Sequence, residues 1–170
     1  EMCIRDRKKT LERSIASLPV SQQRLLKTLT QIRGSLSAAQ IEHWLGPEVR
    51  IDLRGLADRS LLERRRDGWT VLHTTRAVAV ERIPHDPLGP AVSQWLARVS
   101  IELMGQMHTD PAKTLPIWLG LTDDMIEVLR TGDPDHAIEI ARGLWMLFDH
   151  LGPTSAFFDV IRIARSRRPD

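Results

Sequence analysis

The dipeptide Asp67-Gly68 constrains the fold more than any other short stretch of this chain. Asp-Gly between two apolar runs signals a tight β-hairpin, because the turn needs residues that tolerate a left-handed backbone. The runs are SLLERRR at 60–66 and WTVLH at 69–73. In the second, Trp69, Val71 and His73 alternate with Thr70 and Leu72, as one face of a strand would. An isolated hairpin is marginal in water. This one needs helices to lie on, and the flanking sequence supplies them.

Leu11, Ile15 and Leu18 keep a helical spacing that Pro19 ends. Ser21 is placed to cap a second helix, with Leu25, Leu26, Leu29 and Ile32 as its stripe and Gly34 as its end. Ser37 caps AAQIEHWLG, where Ile41, Trp44 and Leu45 face inward and Gly46-Pro47 stops the helix. A further helix is expected over Asp52–Asp58, with Leu53, Leu56 and Ala57 on one face. Beyond the hairpin, a helix is expected from Thr74 or Thr75 to Ile83, before Pro84. Helices, a hairpin and one more helix make the order of a winged-helix domain over 11–83, the hairpin being the wing. The first ten residues, EMCIRDRKKT, read as a disordered tail, and PHDPLGP at 84–90 as a linker.

From residue 91 the chain reads as helices. Val92, Trp95, Leu96, Val99 and Leu103 suit one long amphipathic helix over 91–107. HTDPAKTLP at 108–116 reads as an interruption. Segments 117–130 and 134–151 read as an antiparallel pair joined by TGDPD. Ala137, Ile138, Ala141, Leu144, Trp145 and Phe148 form the stripe of the second, and Trp44, Trp95 and Trp145 are assigned to the core. SAFFDVIRIARSRR begins another helix, whose apolar residues need cover. The fold class expected is mainly α, a winged helix followed by a helical, repeat-like region over 91–168. A first residue of Glu and an uncovered last helix point to a truncated repeat region in a longer protein.

Composition removes several functions. Formal net charge is +2, which tolerates acidic partners without demanding them. The single cysteine, Cys3, allows no internal disulfide and no Cys-based metal site, and fits a reducing, cytoplasmic setting. No apolar run approaches the roughly 20 residues of a membrane span. The histidines at 43, 73, 85, 108, 136 and 150 make no i,i+4 pair and no HExxH. No glycine belongs to GxxxxGK[ST] and no serine to GxSxG. The expectation is a non-enzyme that carries no cofactor of its own.

DNA needs local evidence. Arg54 and Arg59 flank the helix before the hairpin, Arg64, Arg65 and Arg66 lie at the wing, and Trp69 stands beside the turn. These six are the candidate contacts for DNA or a protein partner, since a winged helix can set its third helix in the major groove. From 50 to 67, however, six arginines face four acids: Asp52, Asp58, Glu63 and Asp67. Carboxylates beside a phosphate backbone weaken binding.

LERSIASLPVSQQRLLKTLTQIRGSLSAAQIEHWLG and LRGLADRSLLERRRDGWTVLHTTRAVAVERI together resemble the winged-helix domain of signal-transducing NTPases of the NB-ARC/STAND class, in the form found in large bacterial transcriptional regulators. The entry from Leu11 through Leu18-Pro19 to Gln23, LADRSLL at 56–62, and the histidine after the hairpin carry the likeness. TGDPDHAIEIARGLWMLFDHLG resembles the helical segment that leads into tetratricopeptide-like repeats. The resemblance covers about 140 residues. It implies a regulatory module that couples an upstream nucleotide-binding domain, holding ADP or ATP, to downstream helical repeats. It also implies that His73 reads the nucleotide phosphates, although Thr74 stands where the family's motif has an acid. The alternative is a free-standing DNA-binding regulator whose C-terminal helices dimerise.

Overall fold

A computed structural model describes residues 4–66, 68–84, 88–152 and 155–166. Asp67, residues 85–87 of the expected linker, the first three of the expected tail and 167–168 of the last helix lie outside the described residues. The chain is mainly helical, with one small antiparallel sheet, and divides into two compact units between Pro90 and Ala91.

The N-terminal unit runs α1 (Ile4–Ala16), α2 (Val20–Leu29), α3 (Ala38–Leu45), α4 (Val49–Asp58), β1 (Leu62–Arg64), β2 (Trp69–Val71) and α5 (His73–Arg82). Residues 4–10, expected as tail, are the first turns of α1. Buried Ile15 anchors this helix, buried Leu18 follows its end, and each residue added beyond a packed turn gains a backbone hydrogen bond at low cost. Lys8 donates to Glu81 at 2.9 Å and Arg82 to Glu12 at 2.8 Å, so α1 also pairs with α5.

The second helix departs from expectation at both ends. It starts at Val20, and the Ser21 hydroxyl bonds Asp52 Oδ1 of α4 at 3.0 Å instead of capping. It stops at Leu29 because tertiary donors take the carbonyls that follow. Arg76 of α5 donates to Thr30 O and, at 2.6 Å, to Ile32 O. In return Lys27 Nζ reaches Val80 O at 2.6 Å, at the end of α5.

Ser37 caps α3 as its sequence requires, in a reciprocal box with Gln40: Gln40 N to Ser37 Oγ at 3.2 Å, Ser37 N to Gln40 Oε1 at 2.8 Å. Gly46, at φ +97°, ends it. Helix α4 begins at Val49, three residues before the expected Asp52, because Val49, Leu53 and Leu56 form one buried i, i+4, i+7 stripe. Its end is a Schellman turn. Leu61 N bonds Leu56 O at 3.1 Å, Ser60 N bonds Ala57 O at 2.9 Å, and Ser60 is left-handed at φ +56°. Ser60 therefore cannot extend the strand, and Leu61 closes over Leu56 with both side chains buried.

The strands of the hairpin are shorter than expected. Leu62 faces Val71, Glu63 faces Thr70 and Arg64 faces Trp69. Arg65 N bonds Gly68 O at 2.7 Å, which pairs these two residues across the hairpin. Gly68 lies against the chain before α3, where Leu36 and Trp69 form a further antiparallel bridge. The expected alternation of Trp69, Val71 and His73 also fails. Thr70 is buried, with its hydroxyl on Gly34 O at 3.3 Å, and His73 is the first residue of α5.

The C-terminal unit is α6 (Val92–Met107), α7 (Pro111–Thr131), α8 (Pro134–Leu151) and α9 (Ser155–Ser166). The expected interruption at 108–116 shrinks to a turn before Pro111. Asp110 caps α7, accepting from Lys113 N at 3.3 Å, and the helix carries Pro116 in its second turn. That proline removes one backbone donor near the helix start. Burial of Thr114, Trp118 and Leu121 on one face offsets the loss. Asp123 and Asp124 fall mid-helix, with Asp124 buried. Helix α8 matches its expected bounds, but its stripe is rotated. Ala137, Ile140, Leu144, Leu147 and Phe148 are buried, whereas Ile138 and Trp145 are more than half exposed. Trp145 is therefore not core, while Trp44, Trp95 and Trp118 are. At Gly143 a Cβ would lie 1.8 Å from Ser100 Oγ, so glycine sets the approach of α8 to α6.

Candidate interaction surface of the N-terminal unit

A cleft of about 600 Å³ opens between α3, α4 and the hairpin. Its position follows from local sequence. The Gly46-Pro47 turn sets α4 beside α3, the Schellman turn sends the chain back as β1, and the bridge at Leu36 draws β2 toward the start of α3. Ala38, Ala39, Ala57 and Leu53 provide small apolar walls, and half-buried Trp69 closes one side. Glu42, Arg50, Arg54, Asp58 and Arg64 supply its charges.

Two of these charges pair with each other. Arg50 grips Glu42 with two hydrogen bonds, Nε to Oε1 at 2.6 Å and Nη2 to Oε2 at 2.8 Å. The guanidinium holds the Glu42 carboxyl below its ordinary pKa, and the carboxylate raises Arg50 in turn. Arg64 lies over the Trp69 ring, 5.6 Å from its centroid. The Glu42–Arg50 pair escaped sequence reading because its partners sit eight positions apart on different helices, beyond any i,i+4 rule.

Of the residues singled out from sequence, the structure brings Arg54, Arg64 and Trp69 together in this cleft. The other candidates lie outside its lining. Arg59 follows the end of α4 and donates to Ser17 Oγ at 3.3 Å. Arg65 pairs with Glu63 at 3.5 Å, and Arg66 is exposed in the turn. His73 is exposed at the first position of α5, a helix whose N-cap residue, Leu72, contributes no side-chain hydrogen bond.

Among the described residues, no group of three or more His, Cys, Asp or Glu side chains could hold a metal ion. No helix among them is long and apolar enough to cross a membrane. No family model, curated protein or solved structure matches the chain.

Proposed function

We propose that this chain is a non-catalytic coupling module. Its N-terminal unit is read as a winged helix that works through protein contacts, and its C-terminal unit as the start of a tetratricopeptide-like helical array. The observation that carries the reading is the outward face of α4, the helix that would enter a DNA groove. It presents Ile51, 79% exposed, next to Arg50, whose guanidinium is already committed to Glu42. An exposed isoleucine and a neutralised arginine suit a protein surface better than a phosphate backbone. The winged-helix reading draws on the order α2, Leu36 bridge, α3, α4 and hairpin, in which Leu36 stands for a short first strand.

Within this reading the module belongs to a cytoplasmic, ATP-dependent signalling or transcriptional switch. An upstream domain holds ADP or ATP, and the array at 91–168 relays to a sensor. His73 faces the nucleotide phosphates from the first turn of α5, where uncapped N–H groups and the positive end of the helix favour an anion. The competing reading, a winged-helix DNA-binding regulator, draws on exposed Arg54, Arg59, Arg64, Arg65 and Arg66.

Fluorescence anisotropy with a labelled random-sequence duplex separates the two, first at low salt and then at about 0.2 M. Coupling through protein contacts predicts no binding in either condition. Binding that falls steeply with salt, and weakens in the Arg64/Arg65/Arg66→Ala variant, would reverse the order of the readings. A second arm tests the nucleotide link in the native reading frame. Hydrogen exchange at amides 73–75 is expected to slow in ADP relative to an ATP analogue, and equal rates would remove His73 from the mechanism.

A further inference from the structure

We propose that residues 88–90 form a latched strap, with Trp44 as the latch, and that α3 controls this hold on the segment where the chain leaves the N-terminal unit. The output role rests on the coupling reading above, whereas the latch is tested without DNA or nucleotide.

Each strap residue has its own partner, and every partner lies in the N-terminal unit. Leu88 N donates to Thr28 Oγ1 of α2 at 3.4 Å. The Thr28 hydroxyl gives its own proton to Arg24 O at 2.9 Å, so its oxygen is left to accept. Gly89 lies against the end of α3, where a Cβ would fall 2.9 Å from Leu45 Cδ2 and 3.2 Å from Trp44 O. Pro90 has no N–H to offer, and its carbonyl accepts from Trp44 Nε1 at 3.0 Å. Trp44 and Thr28 are buried, and a buried indole N–H needs an acceptor, which the strap supplies. A segment composed like a linker is thus docked on α2 and α3.

Helix α3 is placed to control the latch. It is capped at one end by Ser37 and Gln40 and closed at the other by Gly46, so its eight residues move together. Ala38, Ala39 and Glu42 line the cleft. Trp44 stands two positions beyond Glu42, roughly 200° around the helix, and so faces away from the cleft. On the cleft side Arg50 of α4 grips Glu42 with two hydrogen bonds, and on the other side Pro90 holds Trp44. An anionic partner group that draws Arg50 from Glu42 frees one side of α3, and the shift reaches the latch two residues on.

The hold is also light enough to open. It consists of one long hydrogen bond, one of ordinary length and the packing of a glycine. The strap residues are half-buried, whereas the core of the unit, with Leu25, Leu26, Ile41 and Leu56, does not include them. Such a segment opens locally without unfolding what lies beneath it.

Hydrogen exchange followed by NMR on the whole chain tests both halves of the proposal. Trp44→Phe keeps a buried ring and removes the donor. Exchange at the Leu88 amide should rise roughly five- to tenfold, the scale of one lost hydrogen bond, while the amides of Leu25 and Leu26 keep their wild-type rates. Because Trp44→Phe alters a core position, Gly89→Ala provides release from the strap side and should raise Leu88 exchange alike. Arg50→Ala, an exposed change on the cleft side, should speed exchange of the Trp44 indole N–H about threefold or more. Unchanged Leu88 exchange in both strap variants overturns the latch. An indole indifferent to Arg50→Ala overturns control by α3, and neither result bears on the duplex test of the coupling reading.

Discussion

Leu36 and Trp69 exchange a pair of backbone hydrogen bonds, Leu36 N to Trp69 O at 2.9 Å and Trp69 N to Leu36 O at 2.8 Å. This reciprocal pair fastens the hairpin to the segment that leads into α3 and fixes Trp69 as a wall of the cleft. Gly68 lies directly against it. A Cβ there would fall 2.3 Å from Leu36 O and 2.7 Å from Ser37 N, both backbone atoms that no rotamer change can move aside.

Gly68→Ala is therefore expected to part the hairpin from Leu36. We expect a loss of roughly 2–3 kcal/mol, the combined scale of a steric insertion and broken backbone bonds. Urea denaturation measures it. A loss below about 0.5 kcal/mol, the range of ordinary surface changes, would mean that the bridge is dispensable.

Ser60 offers the opposite change. It is the single non-glycine residue of positive φ among the described residues, at +56°, in the turn that ends α4. A left-handed L-residue costs roughly 1–2 kcal/mol, and glycine relieves most of this against its own greater chain entropy. Ser60→Gly should raise stability by about 0.5–1 kcal/mol. A lower melting temperature would show that the hydroxyl has an uncounted role.

Gly143→Ala should destabilise the C-terminal unit even though alanine favours the helical backbone by about 1 kcal/mol. The new methyl meets Ser100 Oγ at 1.8 Å and Trp118 Cζ2 at 3.2 Å, and both side chains are buried. Overpacking of this kind costs roughly 1–3 kcal/mol, which outweighs the propensity gain. Gly143→Ala combined with Ser100→Ala should recover part of the loss in thermal melts. Equal stability of the two variants would place the strain elsewhere.

Acid should loosen the α3–α4 pair in a defined direction. Hydrogen bonds from Arg50 lower the folded-state pKa of Glu42 below its ordinary value. The stabilisation is therefore present above the unfolded pKa, about 4.3, and is lost as pH falls through the lower, folded value. Arg50 is exposed and Glu42 only half-buried, so the effect on stability is small. An NMR titration of the Glu42 carboxyl reads it directly. In Arg50→Ala the midpoint should return upward, and an unchanged midpoint would remove Arg50 as the cause.

Much of the local structure was legible in single residues. Ser37 announces the start of α3, Gly46-Pro47 its end, and Pro134 through Gly152 frames α8, because caps and breakers act over one turn of chain. The cleft was only half legible. Arg54, Arg64 and Trp69 stand out by type, but Glu42 and Arg50 meet across two helices and leave no local pattern.

What the sequence by itself determined is a mainly helical chain with one hairpin, since periodicity and turn residues act at short range. Tertiary structure decided where elements stop and which face turns inward. Arg76 ends α2 at Leu29 by taking the carbonyls of Thr30 and Ile32 from another helix. Gly143 sets the approach of α8 to α6, and Ile138 and Trp145, apolar enough for the core, remain on the opposite side. The physical reason is the same in both cases. A side chain's hydrophobicity is its own property, whereas its burial depends on which neighbour arrives, and that is settled by contacts far apart in sequence.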